Sequence, residues 1–219
     1  MKGNAMSKKE IPYSKVKKML EGIVDTLREK KEYLNRLDAE IGDGDHGRTV
    51  FEAFEKGLDK IKLEKKDSDV GNLLKEVGRT IAFSGGAATG PLFGTAFIEA
   101  GKAIEGRREI RLEDWSRSVK AAEEGIKKRG RAQVGEKTML DTIHSVSESL
   151  QKSVYRKESL EKALIRAEKA AREGMESTRD IVSKRGRSSR LGERTKGHLD
   201  PGAASSYYIL KSIIKDCLD

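Results

Sequence analysis

Cysteine is nearly missing: Cys217 stands alone, so no internal disulfide can form. That fits a reducing cytoplasm, and a lone thiol on an apolar stripe near the C-terminus reads as a packed side chain. Proline occurs only at Pro12, Pro91 and Pro201, while Leu, Ala, Lys, Glu and Arg abound, which favours uninterrupted helix. No stretch approaches the roughly 18 apolar residues of a membrane span, so no membrane role is expected. The opening MKGNAMSKKE has no apolar core of the kind a secretory signal needs, and residues 1–10 read as a flexible tail. Asn and Gln together number 5, a composition common in proteins from hot environments. Aromatics are scarce, at 5%.

What is present is charge. Of the 219 residues, 37% are charged and 36% hydrophobic, with a formal net charge of +9. The apolar residues are spread evenly, so residues 11–219 are expected to form one globular domain with a heavily charged surface. The basic balance admits nucleic acid, an acidic partner or an anionic ligand such as a phosphate.

The apolar period is helical almost throughout. Val16, Met19, Leu20, Ile23, Val24 and Leu27 mark a first helix running to about Leu37. Further stripes begin at Val50, Val70, Leu92, Trp115, Met139, Leu160 and Ala203. The second includes Ile61. Met175, Thr178, Ile181 and Val182 continue the seventh helix or form a separate one. No alternating strand pattern is found. The reading is all-α, about eight amphipathic helices with antiparallel neighbours. Four connections break the pattern, at 38–49, 84–91, 129–138 and 184–202. Irregular loops held by rigid helices are where binding groups concentrate.

The first of these runs Asp38-Ala39-Glu40-Ile41-Gly42-Asp43-Gly44-Asp45-His46-Gly47. Clustered carboxylates repel and call for a cation, and hard oxygen donors select Mg²⁺ or Ca²⁺. Counted from Asp43 as the first position of an EF-hand, the twelfth is Phe54 where a glutamate is required, so that motif is excluded. A solvated acidic turn capping the next helix is the other reading. The second connection, Ser84-Gly85-Gly86-Ala87-Ala88-Thr89-Gly90-Pro91, has small residues that let a ligand approach the backbone, with Pro91 suited to the first helical position. A plain helix break would look the same. The basic run Lys184 to Arg194 reads as solvated surface or as arginines reaching phosphate. Asp200 and Pro201 fit a helix cap and first position. His144, in mid-helix, reads as structural.

Taken together, these residues resemble a known family. Leu37-Asp38 with Ile41-Gly42-Asp43-Gly44-Asp45-His46-Gly47 comes first, then Gly86 to Thr95, then Gly135-Glu136-Lys137-Thr138-Met139-Leu140-Asp141. Gly186-Arg187-Ser188, Leu191 to Arg194 and Gly197 to Gly202 complete the set. In this order they resemble the L subunit, the nucleotide-binding domain, of dihydroxyacetone kinases. The resemblance implies an antiparallel eight-helix barrel with the nucleotide in the loops at one end. It implies that Asp38, Asp43 and Asp45 hold two Mg²⁺ ions bridging the phosphates of ADP or ATP. It places His46, Gly47, Arg48 and Thr49 beside the phosphates and gives Ala88 and Thr89 a share in cradling them. Gly130 and Met139 would flank the base, and Arg187 with Asp200, Pro201 and Gly202 would complete the pocket. Glu40 is left outside the ligand set.

The resemblance also implies a cytoplasmic phosphotransferase component without its own nucleophile, acting on dihydroxyacetone held covalently by a separate K subunit and inactive alone. A free-standing chain of this length favours bound ADP recharged by a phosphoenolpyruvate-dependent phosphocarrier, the M subunit, over exchangeable ATP. A homodimer is compatible with it. Three rivals stay in view: an ATP-dependent component serving another small ketose or acceptor, a nucleotide-sensing regulatory subunit, and a basic nucleic-acid-binding helical protein. Against the last stand the few aromatics, the absence of a helix-turn-helix or zinc pattern and an acidic loop that a duplex would repel, so no nucleic-acid partner is expected.

Overall fold

The computed structural model describes residues 10–63, 69–84, 86 and 88–219. Residues 1–9 of the expected tail, Gly85 and Ala87 of the second connection, and the side chain of Ile61 lie outside the described residues. Glu10 is held by an ion pair with Arg111.

Among the described residues there are eight α-helices: α1 (Tyr13–Ile41), α2 (His46–Leu63), α3 (Val70–Ser84), α4 (Thr89–Ala103), α5 (Leu112–Gly130), α6 (Met139–Tyr155), α7 (Leu160–Ser177) and α8 (Pro201–Leu218). Local chemistry sets several of their starts. Thr138 and Asp141 form a capping box on α6, and Ser159 caps α7. Asp200 accepts the Ala203 N–H at 2.7 Å ahead of Pro201 on α8. Each such cap satisfies an amide the helix leaves unpaired, at about 1 kcal/mol. Helix α5 carries Glu113 and Asp114 in its first turn and Lys127, Lys128 and Arg129 in its last, matching the helix dipole at both ends.

Each helix packs on the next, and α8 returns to α1, so the helices close a ring. Cross-contacts show neighbours running antiparallel. Gly78 of α3 faces Gly94 of α4 while Gly71 faces Gly101, and Gly22 of α1 faces Ser212 and Asp216 of α8. Ile23, Leu27, Leu34, Val50, Leu73, Ile81, Leu140 and Ala203 form the centre of the core, all essentially without solvent contact. At the α3–α4 crossing a Cβ on Gly78 would lie 2.7 Å from the Gly94 carbonyl oxygen, so the two backbones touch. Toward the end remote from the acidic connection the ring keeps an apolar cavity of about 140 Å³, lined by Val16, Leu20, Leu74, Phe97, Trp115 and Ile213 among others.

A carboxylate of the wall is buried beneath partly exposed partners. Glu123 of α5 has no solvent exposure. It accepts hydrogen bonds from Lys127 at 2.5 Å and Lys120 at 3.2 Å, and it lies 2.7 Å from His144 Nδ1 on α6. Burial alone would raise its carboxyl. The hydrogen bonds from Lys127, His144, Ser147 and Lys120 outweigh that and hold it at about 2. The structural role expected of His144 is thus filled by this contact.

Several boundaries differ from expectation. Helix α1 runs four residues beyond Leu37, because Leu37 and the buried Ile41 continue its apolar stripe. Asp38 therefore sits on the helix, and the extended part of the acidic connection is short. The seventh helix neither continues through Ile181 and Val182 nor gives way to another helix containing them. It ends at Ser177 in a single 3-10 turn, Thr178–Asp180, after which Ile181 is extended. Thr178 turns its hydroxyl back to the Met175 carbonyl at 2.7 Å. Much of the 184–202 connection is a 3-10 segment, Ser188–Thr195, broken at Gly192 where φ is +55°. Pro91 is the third residue of α4, not the first, still within the turn whose amides have no helical acceptor. An unexpected two-residue strand, β1 (Ile11–Pro12), pairs antiparallel with β2 (Glu109–Ile110). No helix among the described residues is long and apolar enough to cross a membrane.

Alternation of direction has one consequence for the site. The connections α1–α2, α3–α4, α5–α6 and α7–α8 all fall at the same end of the ring. These are the four that broke the helical pattern. The amino ends of α2, α4, α6 and α8 start there, each turning the positive end of its dipole toward that end of the ring.

Candidate functional site

The acidic connection is built around Asp38. From the last turn of α1 its Oδ2 accepts the N–H groups of Asp45 at 3.0 Å and His46 at 3.2 Å, fixing the start of α2. Gly42 is needed for this approach: a Cβ there would lie 2.3 Å from Asp38 Oδ1. Gly44 turns the chain at φ +78°, the left-handed region that glycine enters freely. Asp38, Asp43 and Asp45 each bring a carboxylate oxygen within 4.8 Å of the others. Such a set of hard oxygen donors suits Mg²⁺ or Ca²⁺. Asp43 is exposed, and Arg187 from the α7–α8 connection reaches across to pair with it.

The neighbouring residues close around this cluster. His46 Nε2 lies 2.9 Å from Ser205 Oγ on α8, and desolvation lowers its imidazole to about 4, so it is neutral near pH 7. Gly47 lets α2 cross α1, since a Cβ would lie 2.0 Å from the Lys31 carbonyl oxygen. The Arg48 N–H donates to Asn35 Oδ1 at 3.0 Å, and the Arg48 guanidinium lies 3.7 Å from Asp45. A Cβ on Gly86 would be 2.8 Å from Thr49 Cγ2, which sets the α3–α4 connection against α2. Ala88 is exposed and Thr89 half-buried at the start of α4.

On the opposite side of the mouth, Met139 at the start of α6 is buried, and Gly202 at the start of α8 lies against it. Pro201 is buried beside them. Burial pushes the Asp200 carboxyl up to about 7 despite the Ala203 N–H bond, with Asp141 and Asp38 adding repulsion. The last clip is His198 Nδ1, 2.9 Å from Glu40 Oε2, which joins the α7–α8 connection to α1.

The structure thus brings together Asp38, Asp43, Asp45 and Arg187, sets Thr49 against Gly86, and joins Met139 to Gly202. Gly130, at the end of α5, meets Leu92 of α4. Reading the residues in order missed three participants. Ser205 faces His46 across 159 positions, and its only local signal is a serine in an apolar helix. Glu40 was set aside, yet it anchors His198. Lys137 lay within a quoted motif without a role, and it is almost completely buried.

A carboxylate cluster ringed by four helix amino ends and arginines can hold a divalent cation together with an anionic ligand. The DAK2 domain family matches residues 40–215. Over 189 residues the chain is 39% identical to the "PEP-dependent dihydroxyacetone kinase, ADP-binding subunit DhaL" of Escherichia coli (strain K12), covering 86% of this chain and 90% of that protein. The crystal structure of the dihydroxyacetone kinase of C. freundii in its native form superposes with a TM-score of 0.70 at 25% identity, covering 98% of this chain and 37% of that one. The same kinase in complex with AMP-PNP and Mg²⁺ gives a TM-score of 0.68 at 24% identity, covering 36% of that chain, a likeness of fold.

Proposed function

The chain belongs to the DAK2 domain family, and we propose that it is the ADP-binding, phosphoryl-transferring component of a dihydroxyacetone kinase. The observation that carries the reading is the coincidence of near-complete coverage of an ADP-binding relative with three carboxylates gathered within 4.8 Å where four helices begin.

In this reading Asp38, Asp43 and Asp45 hold two Mg²⁺ ions, for which their hard oxygen donors are suited. When bound, those ions neutralise phosphate charge and hold the transferring group in line. His46, Gly47, Arg48, Thr49, Ala88 and Thr89 surround the phosphates. The amino ends of α2 and α4 supply N–H donors there without reorganising. Arg187 leaves Asp43 for the phosphates, where a guanidinium binds two oxygens at once. Gly130 and Met139 flank the base, with Asp200, Pro201 and Gly202 closing the pocket. His46, neutral and fixed by Ser205, adds no positive charge and keeps the start of α2 in place.

In this reading the phosphoryl group passes straight from the nucleotide to an acceptor presented by another protein, with no covalent intermediate on this chain. We assign that role to a K subunit holding dihydroxyacetone, and the recharging of ADP to a phosphoenolpyruvate-dependent phosphocarrier M subunit.

Calorimetric titration with ADP is expected to show tight binding with Mg²⁺ present and loss of binding in EDTA. The chain is then mixed with K subunit and dihydroxyacetone, and given either ATP or the phosphorylated carrier. Triose phosphate is expected with the carrier, and none from the chain alone. Absence of Mg²⁺-dependent nucleotide binding overturns the reading. Turnover with ATP but not the carrier overturns only the assignment of the donor.

A further inference from the structure

Lysine is seldom fully buried, because removing an ammonium from water is costly. Lys137, in the α5–α6 connection, is 1% exposed and is among the largest fully buried side chains of the molecule. Its backbone adopts φ +61°, a conformation that L side chains rarely take. The ammonium donates to two backbone carbonyls from a different part of the chain, that of Thr178 and, at 2.5 Å, that of His198. Burial lowers its pKa, while Asp200 and Asp141 oppose this from further off.

These acceptors bracket the α7–α8 connection. Thr178, itself without solvent exposure, accepts the Lys137 N–H on its carbonyl and the Asp200 N–H on its hydroxyl at 3.1 Å. His198 lies two residues before Asp200, on the other side of the same turn into α8. The bonds from Lys137 therefore fix where α8 begins. Two residues after Lys137 stands Met139, against which Gly202 rests at 3.6 Å from an added Cβ. One side chain thus ties Met139 to the segment Asp200 to Gly202. Glu136 adds an outer clip: its carbonyl accepts the Lys184 N–H at 3.1 Å and its carboxylate binds Arg185 at 2.7 Å. That second contact is partly solvated and is the weaker of the two.

An apolar side chain of the same length would fill the space but leave the part-buried His198 carbonyl without this donor and the buried Thr178 carbonyl with only the Ile181 N–H at 3.3 Å. Filling the core therefore does not account for a lysine here, whereas joining two loops does. We infer that Lys137 is a positioning residue of the nucleotide pocket, holding Met139 and the start of α8 at a fixed separation before the nucleotide arrives. This rests on the reading of the site as a Mg-nucleotide pocket.

The test compares wild type, Lys137→Met and Lys137→Arg by calorimetric titration with ADP and Mg²⁺, with helical content followed by circular dichroism. Lys137→Met is expected to keep its helices and to bind at least tenfold more weakly. Lys137→Arg, which keeps the charge and several donors, is expected to recover most of that loss. Wild-type affinity in a folded Lys137→Met overturns the inference, as does equal weakness of the two variants. If Lys137→Met does not fold, amide exchange in the nucleotide-free wild type decides. Strong protection of the Asp200 and Ala203 amides supports a segment set in advance, and protection gained only with Mg-ADP overturns it. Failure of the wild type itself to bind Mg-ADP sinks the nucleotide reading and is distinct from both results.

Discussion

Asp43→Asn should stabilise the protein without ligand and disable it with ligand. The three carboxylates lie within 4.8 Å of one another, and at that spacing two unit charges in a water-like medium repel by about 1 kcal/mol. Asp43 takes part in two of the three pairs, so removing its charge relieves about 2 kcal/mol. The substitution also gives up the ion pair with Arg187, whose two side chains are 63% and 49% exposed. An exposed pair of this kind contributes at most about 1 kcal/mol. The net gain is about 1 kcal/mol in EDTA, which for a chain of this size raises Tm by about 2–4 °C. With ADP and Mg²⁺ at ~100 times the dissociation constant, the wild type gains about 2.7 kcal/mol, or about 5–11 °C. The variant, lacking one hard oxygen charge, should gain little. The order of melting temperatures therefore inverts between the two conditions. Scanning calorimetry of both proteins in EDTA and in Mg-ADP reads this directly, and added salt should shrink the gain in EDTA by screening the repulsion. A variant that melts below wild type in EDTA, or that keeps the full ligand shift, refutes the account of the cluster.

Three further outcomes follow from the ring. Glu123 is held at about 2 against an ordinary 4.5, a difference worth about 3 kcal/mol. A lowered carboxyl contributes stability in full above pH 4.5 and loses it as pH falls toward 2, so denaturant melts should show Glu123→Gln about 3 kcal/mol less stable at pH 7 and the gap closing as pH falls. Gly78→Ala drives a Cβ to 2.7 Å from the Gly94 carbonyl, costing about 1–3 kcal/mol and weakening nucleotide binding by displacing the α3–α4 connection. Gly106→Ala, at φ +79° with nothing within 4 Å, costs about 1–2 kcal/mol and should leave binding unchanged. Equal loss of affinity in both glycine variants would contradict the assignment of the two ends.

The eight helices were legible because each apolar stripe recurs with a 3.6-residue period over many turns. The metal candidates were legible because Asp38, Asp43 and Asp45 crowd one short segment, where repulsion itself is a signal. Helix ends were harder to read. Gly42 and Gly44 made the whole acidic stretch look irregular, although the step from Leu37 to Ile41 carries α1 through Asp38. Ile181 and Val182 keep a helical spacing that the Thr178 contacts override. The β1–β2 pairing is two residues long, too short for any alternation to show. Basic residues conceal their partners most. In the run from Lys184 to Arg194, Arg185 belongs to Glu136 and Arg187 to Asp43. Lys137, which composition would put in water, is enclosed. Long-range pairing of a charge leaves no trace in its immediate neighbours.

The alternation of helix directions also segregates the ends of the described chain from its working face. Glu10 and β1 lie with the α4–α5 connection, and α8 starts beside Asp200 and runs away from the carboxylates to Leu218. Both ends of the described chain therefore emerge on the side remote from the mouth. A tether to a surface, an affinity tag or a second polypeptide joined directly before Glu10, in place of residues 1–9, or after Leu218 can be added without crossing the opening, and a short bridge between Glu10 and Leu218 would allow permuted versions whose new termini fall in the α6–α7 turn.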